Sequence, residues 1–164
     1  MDVKESKIDM KVPLVNVKAP KETIQLKSCN LKNITSIRCH NDYVNSVSTF
    51  PSGNIISTSR DQSIIIYDIH FNILQNIPNA HDKAIDYVEI KDENNFITCS
   101  SDKNIKSWIK NNNEFKINKI IKNAHDAGIT KVIYCSNNNL ISCSRDKQLK
   151  YGKKIIIIMK ILKY

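Results

Sequence analysis

Glycine, proline and tryptophan are scarce in this chain of 164 residues, at 3, 4 and 1. The glycines stand apart as Gly53, Gly128 and Gly152. No Gly-rich loop can therefore cradle a phosphate, which excludes the common nucleotide-binding motifs. The 5 cysteines form no CxxC pair, so zinc and dithiol spacings are missing. There is no nucleophile elbow, and no carboxylate pair has a reason to be coupled. The opening Met1–Lys11 is charged and polar, unlike a secretory leader. The longest apolar run, Ile155–Met159, falls far short of the roughly 18 residues a membrane helix needs. These absences predict a protein of a reducing interior, cytosol or nucleus, with no membrane partner and no cofactor.

A formal net charge of +9 would ordinarily direct attention to nucleic acid. Its distribution does not. Residues 1–38 carry 8 basic and 4 acidic side chains, and residues 150–164 carry 5 basic and none acidic. The stretch 39–149 is balanced at 12 of each. No basic groove is expected there, so nucleic acid is a disfavoured partner.

What the chain does have is a repeat. His40, His81 and His125 each stand 21 residues before an aspartate: Asp61, Asp102 and Asp146. Each histidine is followed by apolar positions at the same offsets: Val44 and Val47, Ile85 and Val88, Ile129 and Val132. A polar turn comes next, Pro51–Asn54, Asp92–Asn95 and Asn137–Asn139. Short apolar-rich runs then lead to the aspartate: Ile55–Ser59, Phe96–Ser100 and Leu140–Ser144. A further run follows at Ser63–Asp68 and Asn104–Ile109. Such runs between polar turns read as strands. A repeat of about 40–45 residues is one propeller blade, whereas a closed ring usually takes about 4–8 blades. The expectation is all-β: a partial β-propeller of about three four-stranded blades, an open arc rather than a ring.

The strand alternation puts Ser57 and Ser59 on one face, with Thr58 on the other. Thr98 and Ser100 are set against Cys99 in the same way, and Ser142 and Ser144 against Cys143. Cys99 and Cys143 therefore read as small core residues. An aromatic stands six residues after the aspartate in two units, Tyr67 and Trp108. A histidine, a hydroxyl, an aspartate and a polar-tipped aromatic could satisfy one another across each blade.

At these positions the chain resembles the WD40 (G-beta-type) repeat. The dipeptides that carry the resemblance read Cys39-His40, Ala80-His81 and Ala124-His125, then Tyr67-Asp68 and Trp108-Ile109. None is the full family form; their shared register carries the match. The resemblance implies structural tetrads His40/Ser57/Asp61/Tyr67 and His81/Thr98/Asp102/Trp108, and an incomplete His125/Ser142/Asp146. It also makes Leu31–Ile37, Phe71–Ile77 and Phe115–Ile121 the outer strands preceding each unit. The organisation is then a flexible basic lead-in over 1–30 and repeats over 31–150, at about 40–68, 81–109 and 125–150. A divergent tail occupies 151–164.

The third unit breaks where the aromatic is due, because that position is Gly152. Lys150-Tyr151-Gly152-Lys153 can be encoded AAA TAT GGA AAA, and one restored A yields Lys-Ile-Trp-Lys. One expectation is therefore a frameshifted tail; the other is a naturally divergent terminal strand.

Three histidines near aspartates have the residue types of a metal site or of Ser-His-Asp catalysis. Each histidine belongs to its own unit, however, and an active site is normally built once. No metal and no enzyme activity is expected, and His70, outside the pattern, reads as a surface residue. Family resemblance places a protein-binding face around the turn before each aspartate: Arg60, Ser101 and Arg145. Positions three and five after each histidine join it: Tyr43 and Asn45, Ala84 and Asp86, Gly128 and Thr130. Two arginines there point to an acidic or phosphorylated partner, and Tyr43 is the aromatic anchor candidate. The function expected is a non-catalytic interaction scaffold, a fragment of a larger propeller that another chain would complete. The alternatives are a WD40 region separated from a kinase or ubiquitin-ligase component, or a nucleic-acid-associated protein using the basic ends.

Overall fold

The computed structural model describes residues 36–135 and 139–152. The lead-in 1–30, most of the Leu31–Ile37 run and the tail from 153 lie outside the described residues. Three antiparallel sheets follow one another, with no helix among the described residues and no closure into a ring. The first runs β1 (Val44–Thr49), β2 (Ile55–Ser59), β3 (Ile64–Tyr67) and β4 (Ile73–Ile77), in spatial order. The second repeats it as β5 (Ile85–Asp92), β6 (Asn95–Ser100), β7 (Ile105–Asn111) and β8 (Glu114–Ile121). The third holds β9 (Ile129–Tyr134), β10 (Leu140–Ser144) and β11 (Leu149–Gly152). It thus has three strands among the described residues, where four were expected.

Local chemistry explains the breaks. After each aspartate the chain turns through a left-handed residue: Gln62 (φ 72), Lys103 (φ 73) and Lys147 (φ 68). Asn112 (φ 50) and Asn113 (φ 66) make the two-residue hairpin between β7 and β8, a conformation asparagine tolerates. Gly53 (φ 89) serves the β1–β2 turn, where a Cβ would meet Ile69 Cγ2 at 3.2 Å. The β4 strand starts at Ile73, later than the run beginning at Phe71. Asp68 Oδ1 accepts the N–H groups of His70 (2.8 Å) and Asn72 (2.9 Å), which holds Phe71 in a turn.

Each core lies between neighbouring sheets. The first joins Phe50, Ile56, Ile64, Ile66 and Ala80 to Ile85, Val88, Phe96, Trp108 and Phe115. The second joins Ile97, Cys99 and Ile105 to Ile129, Val132 and Leu140. Repeat position then decides burial. Ile85, Val88, Ile129 and Val132 are at most 1% exposed, whereas Val44 and Val47 in the first blade are 52% and 66% exposed. At the other end Leu149 is 71% exposed, although its counterparts Ile64 and Ile105 are buried. Blades bury their faces against neighbours, so among the described residues these two faces are left apolar and open. We expect the chain to self-associate through them. Val47→Lys with Leu149→Lys should shift sedimentation toward the monomer. A parent chain that is already monodisperse at tens of micromolar would contradict this.

Candidate protein-binding face

The blades are held by polar relays that set the geometry of the face above them. In the second blade His81 Nδ1 lies 2.8 Å from Asp102 Oδ2, and Nε2 lies 2.8 Å from Thr98 Oγ1. Trp108 Nε1–H donates to the same Thr98 oxygen at 2.9 Å. An indole can only donate, so the Thr98 O–H donates to His81 Nε2, and Nδ1–H donates to Asp102. The third blade repeats the arrangement, His125 standing 2.8 Å from Asp146 and 2.9 Å from Ser142, with Gly152 in the aromatic's register. The first blade departs from it. His40 Nε2 is 2.7 Å from Ser57, but Nδ1 is 3.2 Å from Asp61 and 2.8 Å from Ser63 Oγ. Ser63 donates to Asp61 at 2.6 Å, so it stands between the histidine and the carboxylate. Tyr67 reaches Ser57 only at 3.4 Å.

Burial would raise all three carboxyls, but the hydrogen bonds outweigh it. His81 and the N–H groups of Asn104 and Asp82 hold Asp102 well below the ordinary carboxylate range. Ser63 and the Asn41 N–H do the same for Asp61. Against the same burial, the N–H groups of Gln148 and Asp126 and the His125 side chain bring Asp146 down to about 2.

Two supports escaped the sequence reading. Ser59, Ser100 and Ser144 accept the N–H of Asp61, Asp102 and Asp146 at 3.0, 2.9 and 3.1 Å. Ser100 and Ser144 also donate to the carbonyls of Ala84 (2.8 Å) and Gly128 (2.9 Å). Lys106 Nζ donates to Ala80 O at 2.7 Å, and Lys150 Nζ to Ala124 O at 2.9 Å. The signal was available: a lysine four residues after the aspartate in two units, where the first has Ile65.

Above the relays, a hollow of about 380 Å³ is lined by Tyr43, Asn45, Arg60, Ala84, Asp86 and Arg145. All three blades contribute. Ser101 stands beside it and donates to Asp86 at 2.7 Å. Thr130 is not part of the lining; its hydroxyl donates to Cys143 O at 3.3 Å. Gly128 touches the neighbouring turn, where a Cβ would lie 3.0 Å from Ser101 Cα. Both arginines are already engaged by carboxylates. Arg145 Nη2 is 3.4 Å from Asp86, while Arg60 Nε is 3.8 Å from Asp42 and its guanidinium lies 5.9 Å from the centre of the Tyr43 ring. Each arginine side chain remains more than half exposed, so these pairs are weak and exchangeable. Among the described residues no cluster of three His, Cys, Asp or Glu could hold a metal. Nor is any described helix long and apolar enough to cross a membrane.

Residues 31–68 and 117–151 match the repeat family described as "WD domain, G-beta repeat". The second blade falls between these segments, yet its relay has the same spacing and the fullest set of bonds. No curated protein matches the chain. Among solved structures, the crystal structure of the WD40 beta propeller domain of Doa1 is similar in fold, with a TM-score of 0.62 at 18% identity. The match covers 70% of this chain and 38% of that one, so the chain spans well under half of the solved domain's length. Repeat register, relay geometry, matched segments and likeness of fold agree: residues 31–68 and 117–151 are WD40 (G-beta-type) repeat segments, and the described sheets have the fold of a WD40 propeller.

Proposed function

We propose that the chain is a non-catalytic interaction module, part of a larger propeller of the cytosol or nucleus. Its turn face holds an acidic or phosphorylated peptide. The WD40 propeller fold supports a protein-interaction role in general. The observation that carries the finer reading is the hollow itself, which collects Tyr43, Asn45, Arg60, Asp86 and Arg145 from three blades. Arg60 and Arg145 supply forked donors for a carboxylate or phosphate, and the exposed Tyr43 ring offers an anchor beside them. Asp86 now neutralises Arg145, so a peptide anion would have to displace it.

The test is binding of an array of acidic and phosphorylated peptides to the full chain. Arg60→Ala with Arg145→Ala should weaken the bound peptides by about tenfold or more, since charged hydrogen bonds contribute roughly 1.5–3 kcal/mol each. Asp86→Ala should strengthen them. Peptide affinities unchanged in the double variant would overturn the proposal.

A further inference from the structure

The first two sheets show what the repeat does with its aromatic, and the third shows its place without one. Trp108 pairs in register with Phe96, and Gly152 pairs in the same register with Leu140. Trp108 shares a core cluster with Ile64 and Ala80 of the preceding blade, with Ile77 packed against it. The repeat equivalents of those residues are Ile105, Ala124 and Ile121. Those same three, with Leu140, Ser142, Lys150, Tyr151 and Gly152, line a hollow of about 230 Å³. A Cβ built on Gly152 meets nothing within 4 Å. Ser142 Oγ lies on the hollow's wall, 2.9 Å from His125 Nε2. If it donates there, as Thr98 does to His81, a lone pair is left to accept.

We propose that this hollow is a binding site for a planar aromatic group of indole size bearing an N–H donor. The apolar wall of Ile105, Ile121, Ala124 and Leu140 sandwiches the ring. The N–H donates to Ser142 Oγ as Trp108 donates to Thr98. Size agrees, since an apolar protein cavity of about 150 Å³ already accepts benzene. Chemistry agrees as well, because the neighbouring blade holds an indole on the equivalent residues.

The test uses free indole and the full chain. Saturable binding is expected by titration calorimetry, with a melting temperature that climbs with indole concentration. Naphthalene, which has the shape without the N–H, should bind more weakly. Gly152→Trp should lose indole binding, because its own side chain takes the place, and should melt higher than the parent. Arg60→Ala with Arg145→Ala should leave indole binding unchanged, which separates this site from the peptide face. Absence of saturable binding overturns the proposal, as does undiminished binding in Gly152→Trp. Should that variant not fold, Ala124→Leu narrows the hollow from the opposite wall, and unchanged indole affinity there overturns it equally.

Discussion

Trp108→Ala is expected to destabilise the chain by about 3–5 kcal/mol, the range for emptying a buried aromatic site. Native domains hold only about 5–15 kcal/mol in total, so the variant should be largely unfolded near body temperature. The indole is 2% exposed and lies 5.7 Å from the Phe96 ring, nearly parallel to it. Phe96 in turn meets Phe115 at 5.0 Å and Phe50 at 6.3 Å, and Phe50 stacks on Phe115 at 5.3 Å. Those rings bridge the first two blades, so the cavity would open at their interface, where neither sheet can close it alone. The substitution also removes the donor that Thr98 accepts. Urea denaturation followed by far-ultraviolet circular dichroism measures the loss, since Trp108 is the single tryptophan. Trp108→Phe keeps the stack and should retain much of the stability. A cost under about 1 kcal/mol for the alanine variant would contradict a core role.

The second large effect falls on Asp102. Its carboxylate accepts from His81 at 2.8 Å, from Asp82 N–H at 3.2 Å and from Asn104 N–H at 2.9 Å. Asp102→Ala strands the His81 Nδ1–H, whose side chain is fully buried, and frees two turn amides. The expected cost is about 3 kcal/mol or more. Asp102→Asn retains one acceptor and should fall between parent and alanine. Acid offers the same test without mutation. A carboxyl whose folded pKa lies below its unfolded value near 3.9 contributes stability above that value, and loses it as pH falls through the folded pKa. For Asp146 the window runs from about 4 to about 2. Asp61 and Asp102 are depressed in the same direction. The midpoint in urea should therefore drop steeply below about pH 4, and the drop should be shallower in Asp102→Asn. An Asp102→Asn variant with the parent's acid profile would remove Asp102 from the relay.

Much of this architecture was legible because the repeat spacing constrains every element at once. One offset from histidine to aspartate located the turns, and the strand alternation located the buried hydroxyls. The rest depended on signals that a single sequence does not carry. Left-handed Gln62, Lys103 and Lys147 stand where no glycine marks the turn. Ser63 occupies the position of Asn104 and Gln148, and only its side-chain geometry reveals that it stands between His40 and Asp61. The arginines of the candidate face read as free cations in sequence, yet Asp42 and Asp86 reach them across the fold. Equal repeat positions also fare unequally. Cys99 is fully buried and Cys143 only partly, while Thr58 is buried with no partner for its hydroxyl. What differs is the neighbouring blade, which lies outside the repeat unit and so outside its pattern.

The two inter-blade cores are unequal in kind. The first packs four buried aromatic rings, Phe50, Phe96, Trp108 and Phe115, while the second is built of Ile97, Cys99, Ile105, Ile129, Val132 and Leu140. In a one-dimensional array, stability resides in nearest-neighbour couplings, and such an array opens from its weaker junction. On this composition we expect the third blade to fray before the first two separate, which hydrogen exchange of the β9–β11 amides would show. A ligand or partner that grips the third blade would act on that junction, converting local fraying into cooperative unfolding of the whole array.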